Sequence, residues 1–391
     1  MIRKVLLIAA LGAGVFPGGL IAGQGSSAAS RQGIDQLIQA GEKARDSNQD
    51  DEAIRLFRRA LSIQPESEEA LWYLGSMLYE TDQYAQSRDA LRQFVTIRSD
   101  AGPGWALLGL AEFHTREYPR ALDHLQRAMA QGMGDRKELM RSIFYHVAVL
   151  LTRFEHYDDS MDMLLKMLAS DSQDPSLSEP AGLAGLRLPL LPAEIPLERR
   201  ELVELAGRAV LAMQTQRYEE ADSEFKRLVS NYPNEPGVHF LYGAYLTELH
   251  PEQAVPEFER ELEISPSHVL ARIRLAEQLI ADRNFDRALA LVRQAIQLEP
   301  KRASAHMLAG ESLLAMSNAG DGIKELETAR EDDPSVNRIH WDLLRAYAAA
   351  GRKDDADREK QEIERLYHSK SPGRTGEGAD TPRDRDAPKD R

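Results

Sequence analysis

The chain has 391 residues, no cysteine, 49 Lys and Arg against 63 Asp and Glu, and 6% aromatic residues. Without cysteine there is no disulfide framework, thiolate zinc site, iron–sulfur cluster or thiol nucleophile, and a net charge of −14 opposes broad nucleic-acid binding, which draws on clustered Lys and Arg. With 42% hydrophobic and 29% charged residues, the composition is that of a folded, helix-rich chain and not a disordered one.

In chain order, the first segment carries a targeting signal. Arg3 and Lys4 precede the apolar run Val5–Phe16, and small and polar residues follow from Gly18 to Ser30. This is the pattern of a secretory signal peptide over residues 1–30, with cleavage expected between Ala22 and Ala29. The alternative is an uncleaved anchor over Val5–Gly23; Pro17 and the glycines make it a poor membrane span, which needs about 20 apolar residues. The expected location is therefore periplasmic or secreted, with membrane contact only through this segment if it is not cleaved.

From residue 34 onward a period of 34 organises the chain. Gly41, Gly75 and Gly109 share it, as do Ala53, Ser87 and Ala121; Phe57, Leu91 and Leu125; and Ala60, Phe94 and Ala128. Each period predicts two helices. Leu71, Leu74, Gly75 and Leu78 share one face of the first, Tyr84, Ser87, Leu91 and Phe94 one face of the second, and Thr81–Gln83 forms the turn. Pro65, Pro233, Pro266, Pro300 and Pro334 close their units, because proline cannot continue a helix interior.

These columns resemble the tetratricopeptide repeat, whose pattern places an aromatic or Leu at place 4, Gly at 8, Ala at 20 and 27, an aromatic at 24 and Pro at 32. The third unit carries Trp105, Leu108, Gly109, Tyr118, Ala121 and Ala128 in this frame, and the first carries Leu37, Gly41, Ala53, Phe57, Ala60 and Pro65. Extending the frame gives nine units: 34–67, 68–101, 102–135, 141–174, 202–235, 236–268, 269–302, 303–336 and 337–370. The resemblance implies an all-α fold, a right-handed superhelix (α-solenoid) of about nine helix-turn-helix repeats in two subdomains, four repeats over 34–174 and five over 202–370. The sixth unit is one residue short at Leu249-His250-Pro251. The ninth keeps Trp341, Tyr347, Gly351 and Ala356 and then turns polar, as the end of an open stack requires.

Two segments interrupt the period. At 136–140, Asp135 with Glu138 matches a capping box, so the next helix is expected to start about a turn early. The linker 175–201 holds seven Leu or Ile in the fifteen residues Leu183–Leu197, and Pro189, Pro192 and Pro196 predict an apolar extended segment. It either packs over the edge of the fourth unit and joins the subdomains, or lies in the groove as an internal ligand mimic. The tail 371–391 alternates Pro, Gly, Asp and Arg with no large apolar residue and is expected to be disordered.

No HExxH, GxSxG, P-loop or strand-following GxGxxG is present, and His146 and His156 are read as satisfied or solvent-facing histidines. No catalytic, cofactor-binding or metal-binding residue is therefore expected. The resemblance implies a surface that holds peptides or partner proteins. It also allows three specialisations to be tested by place. The chaperone-clamp Lys and Asn at places 5 and 9 are replaced in the first unit by Ile38 and Glu42. The asparagine ladder of O-linked N-acetylglucosamine transferases at place 6 reads Gln39, Tyr73, Leu107, His146, Gly207, Leu241, Arg274, Leu308 and Asp342. The rubredoxin-like module of envelope adaptors needs the cysteines this chain lacks.

What remains is the row at place 5, expected to face the concave groove: Ile38, Trp72, Ala106, Tyr145, Ala206, Phe240, Ile273, Met307 and Trp341. With Tyr79, Phe113, Val149, Val210 and Met213 it predicts an apolar strip for an amphipathic helix or an extended apolar peptide. The expected function is a non-enzymatic scaffold for protein partners, and resemblance to envelope tetratricopeptide proteins implies a place in the assembly or maintenance of a bacterial cell-envelope complex. No small-molecule substrate or cofactor is evident. The alternatives are an enzyme-associated or cryptic catalytic protein and a structural self-assembling array.

Overall fold

The computed structural model describes residues 28–168 and 174–369, so the expected signal segment and tail lie outside the described residues. Among the described residues there are nineteen α-helices, three short 3-10 turns and no strand. All but one of the helices fall into nine successive pairs at the nine expected units. In the first four these are α1 (Ala28–Asp46) and α2 (Asp50–Ile63), α3 (Glu68–Glu80) and α4 (Tyr84–Ile97), α5 (Gly102–His114) and α6 (Tyr118–Gln131), and α7 (Lys137–Arg153) and α8 (Tyr157–Leu168). After the short α9 (Ser178–Gly185) come α10 (Arg200–Gln214) and α11 (Tyr218–Asn231), α12 (Val238–Leu249) and α13 (Pro251–Ile264), α14 (Val269–Ala281) and α15 (Phe285–Leu298), α16 (Ala303–Ala315) and α17 (Ala319–Asp332), and α18 (Asn337–Ala349) and α19 (Lys353–Ser369).

The turn inside each pair is built alike. Asn48, Asp82, Arg116, Glu155, Gln216, Arg283, Ser317 and Gly351, all at the fifteenth place of their units, have φ between 55° and 75°. The following N–H returns to the carbonyl five residues back, as in Gln83 to Leu78 (2.8 Å) and Asn284 to Leu279 (2.7 Å). This left-handed close satisfies the last carbonyls of the first helix and reverses the chain. The exception is the unit that is one residue short, where His250 links the helices at φ −142° and Pro251 opens α13. Deleting one residue here removes the left-handed step.

Within a pair, small residues let the helices touch. A Cβ on Gly75 would lie 2.6 Å from the Leu91 side chain, and the Ser87 hydroxyl donates to the Gly75 carbonyl at 2.7 Å. Between pairs, the second helix packs on the first helix of the next, as α2 on α3, α4 on α5 and α15 on α16. Nitrogen-bearing side chains at the fourth place fasten several of these joints. The Trp105 indole donates to the Ser99 carbonyl (2.9 Å), and Nε2 of His239, His306 and His340 faces the carbonyls of Pro233, Pro300 and Pro334 at 3.0, 3.0 and 2.9 Å. Arg272 donates likewise to Pro266. The proline that ends one unit thus supplies the acceptor that anchors the next.

The chain divides into two compact units between Ala221 and Asp222. Segment 175–201 belongs to the first, and α9 runs into the start of the stretch Leu183–Leu197 that was expected to be extended, taking Leu183–Gly185 into the helix. Pro180 sits in the first turn, where no N–H is needed, so it permits the helix. α9 packs on α7, α8 and α10. Leu177 and Ala181 join Ala148, Leu164, Met167 and Leu168 in one buried cluster. Past Leu188 the three prolines do prevent regular α-helix; Leu191 and Ile195 are buried, and Arg153 ties the segment down through the Pro189 carbonyl at 2.6 Å. The segment therefore lies against the fourth pair.

The capping box at Asp135 and Glu138 does not form. α7 does begin a turn early, at Lys137, but its N-cap is Arg136, without a side-chain cap bond. Gly134 at φ 58° turns the chain so that Asp135 falls one residue short of the cap and offers its carbonyl to Lys137 N–H instead (2.9 Å).

Candidate functional site

The repeat frame brings aromatic side chains from the second, third and fourth pairs together. Tyr79 ends α3, Tyr84 begins α4, Phe113 and His114 end α5, and Tyr145 and His146 lie mid-way along α7. The His114 imidazole stacks on Tyr84, ring centroids 3.9 Å apart and planes within 9°, and its Nε2 lies 3.5 Å from the Tyr79 hydroxyl. Phe113 meets His146 edge to face at 4.7 Å, and Tyr145 meets His146 at 5.5 Å. His114 is exposed and the other five residues are half-buried, so solvent meets the layer chiefly at His114.

Three members of the layer, His146, Tyr79 and Tyr145, are held in their neutral forms. Burial pushes the His146 imidazole down to about 4, opposed by its hydrogen bond to the Ser142 carbonyl (2.7 Å) and reinforced by His114. Burial also raises the Tyr79 phenol, with Tyr84 and Asp82 adding to the effect, and burial likewise raises Tyr145, followed by Glu179 and Asp174. An apolar, electron-rich surface with hydroxyl edges suits aliphatic, aromatic or proline side chains better than a carboxylate.

Of the eleven residues expected to line a groove, Tyr79, Phe113 and Tyr145 belong to this layer. Five are core instead: Trp72 is 2% exposed and packs on Phe94 at 5.3 Å, and Val149, Val210, Ile273 and Met307 are buried. Trp72 meets Phe94 of its own pair, and all five side chains belong to the buried core, so large apolar groups at these places pack the repeats and leave no groove. Met213 and Trp341 are half-buried, and the half-buried Phe240 lies 4.7 Å from His268. Tyr84, His114 and His146 were not anticipated in the layer. Tyr84 recurs at Tyr118 one period on, which was the available signal, whereas the contact between His146 and Phe113 depends on how two pairs meet. His156, paired with His146 in the sequence reading, is exposed beside Asp159 (3.7 Å). Among the described residues, no group of three or more His, Cys, Asp or Glu is placed to hold a metal ion, and no helix is long and apolar enough to cross a membrane.

Two family models, both described as tetratricopeptide repeat, match the chain, one over residues 38–104, 273–316 and 307–357 and the other over 207–235. The chain is similar to the General transcriptional corepressor trfA of Dictyostelium discoideum, at 24% identity over 136 residues; the match covers 35% of this chain and only 10% of that protein. Among solved structures, a MamA RS-1 ArsTM double mutant is 20% identical with a TM-score of 0.41, covering 44% of this chain and 97% of its own. MamA 41-end from Desulfovibrio magneticus RS-1 is also 20% identical, with a TM-score of 0.39, covering 45% and 98%.

Proposed function

We propose that this chain, built from tetratricopeptide repeats, is a non-enzymatic scaffold that holds protein or peptide partners at the aromatic layer of its second to fourth pairs. One observation carries the reading: Tyr79, Tyr84, Phe113, His114, Tyr145 and His146 form a continuous cluster of rings on three successive repeats, exposed at His114 and half-buried elsewhere. A core needs no such exposure, and exposed apolar surface of this kind marks interaction sites. Partners with an amphipathic helix or an extended apolar segment fit it.

We further propose that the scaffold works outside the cytoplasm, in assembly or maintenance of a bacterial envelope complex. Support comes from the basic, apolar and small-residue succession of residues 1–30. Fractionation of cells expressing the full chain and a form lacking residues 1–30 tests the location; equal cytoplasmic recovery of both removes it. Crosslinking in the native envelope with wild type and Phe113→Ala tests the layer. Capture that survives the substitution undiminished rules the layer out as the contact.

A further inference from the structure

The last described helix is held by unusual means. α19 buries only two apolar side chains, Ala356 and Leu366, along seventeen residues, and between them it buries a carboxylate, Glu359, at 3% exposure. Glu359 reaches two other helices. Oε1 accepts from Arg330 of α17, and Oε2 lies 2.6 Å from Nδ1 of His340 of α18, itself 1% exposed. The other ring nitrogen of His340 faces the Pro334 carbonyl at 2.9 Å.

This geometry fixes a protonation state. A neutral imidazole has one N–H and one lone pair, so it can satisfy only one of two acceptors. His340 has an acceptor at each nitrogen, and only the imidazolium donates to both. His239 and His306 repeat the arrangement with Glu257 and Glu325, each at 2.6 Å, but within interior repeats. In the last pair the arrangement stands where apolar burial is scarce.

We propose that His340 is a proton-operated latch: doubly protonated, it docks α19 through Glu359, and on losing its proton it releases that helix from α17 and α18. Deprotonation leaves one buried acceptor facing a lone pair and strips Glu359 of one of its two cationic partners, a large loss where little else holds the helix. The charges facing the ring are Glu359 and Glu362 of α19, with Arg330 of α17 behind Glu359; nearby, Arg338 and Asp342 of α18 engage Glu311 of α16. Burial alone would depress the His340 pKa, but the bonds to Glu359 and Pro334 outweigh it and the net shift is upward. Since the folded ring holds its proton more tightly than the unfolded one, its contribution is complete below the unfolded pKa and disappears as pH rises through the folded value. Glu359 shifts downward, so its contribution fails only at acid pH.

Hydrogen exchange of the full chain at pH 6 and pH 8, corrected for intrinsic rates, tests the latch. Protection of 353–369 relative to α4 is expected to fall several-fold, up to about tenfold per unit of upward shift. In His340→Gln the difference between the two pH values should vanish, and in Glu311→Gln it should persist, because Glu311 is a separate ionisation. Ring ¹⁵N spectra of wild type supply a readout that needs no variant: both His340 nitrogens should carry protons at pH 6. A neutral ring at pH 6, equal protection of α19 at both pH values, or the same fall in His340→Gln each overturns the proposal.

Discussion

Gly182 and Gly207 bring the backbones of α9 and α10 into contact. A Cβ on Gly182 would stand 1.9 Å from the Val203 carbonyl oxygen, and one on Gly207 would stand 1.8 Å from that of Ser178. Both obstacles are backbone, which cannot swing aside as a side chain can. Gly182→Ala or Gly207→Ala is therefore expected to destabilise the first unit by about 3 kcal/mol or more, at the upper end of overpacking costs. Gly33→Ala is the control: in α1 nothing lies within 4 Å of the added carbon, and helix propensity should raise stability by about 0.5–1 kcal/mol. Urea unfolding of the three variants measures both signs, and equal effects would mean that the crossing is looser than drawn.

The left-handed turns offer a second test. Arg283 is exposed at φ 60°, a conformation that costs an L-residue about 1–2 kcal/mol and glycine nothing. Part of the gain from glycine returns as unfolded-chain entropy, so Arg283→Gly should stabilise by about 0.5–1 kcal/mol. Gly351 already has glycine at this place, with φ 75°, and Gly351→Ala should lose a similar amount. Thermal unfolding that moves both variants in the same direction would contradict the shared turn geometry.

These turns also show how much was legible in the sequence. The period of 34 located all nine pairs, because Gly75 against Leu91 or Gly109 against Leu125 is a contact within one repeat and so recurs with it. α9 was hidden for the opposite reason. Its sequence is rich in proline and glycine, and its helix depends on Gly182 meeting Gly207, a contact 25 residues distant that no local pattern announces. The aromatic layer was half visible: Tyr79 and Phe113 share a column, but His146 enters from a pair displaced by the 136–140 interruption, so its column gave no warning.

A third prediction concerns Glu311. Burial, and then the neighbouring Asp342 carboxylate, hold its carboxyl well above the usual range, while Arg338 pulls the other way at 2.7 Å. A carboxyl whose folded pKa is raised contributes stability below its unfolded value and loses it as pH rises toward the folded one. Stability of the second unit should therefore fall between pH 5 and pH 8 on this account. Glu311→Gln, which cannot ionise, should reduce that fall by at least about 1.4 kcal/mol, the equivalent of one pKa unit. Denaturant melts at the two pH values, in wild type and variant, give the difference directly; an unchanged slope would show that Glu311 ionises freely in the fold.

The last prediction separates packing from binding at two aromatic residues that look alike in the sequence. Trp72 and Phe113 both belong to the expected groove, yet Trp72 is 2% exposed against Phe94, whereas Phe113 is half-buried beside His146. Trp72→Ala should cost about 3–5 kcal/mol, because it empties a closed site against Phe94 within the second pair. Any loss of partner capture in that variant would follow from unfolding. Phe113→Ala removes a side chain that already faces water on one side, so about 1–2 kcal/mol is expected, with the fold retained. Capture should nonetheless drop, since the ring is at the middle of the layer and bridges the rings around His114 to those around His146. Melting curves and crosslinking on the same two variants decide the matter: a Phe113→Ala protein that is folded and still captures its partners would place the contact elsewhere on the chain.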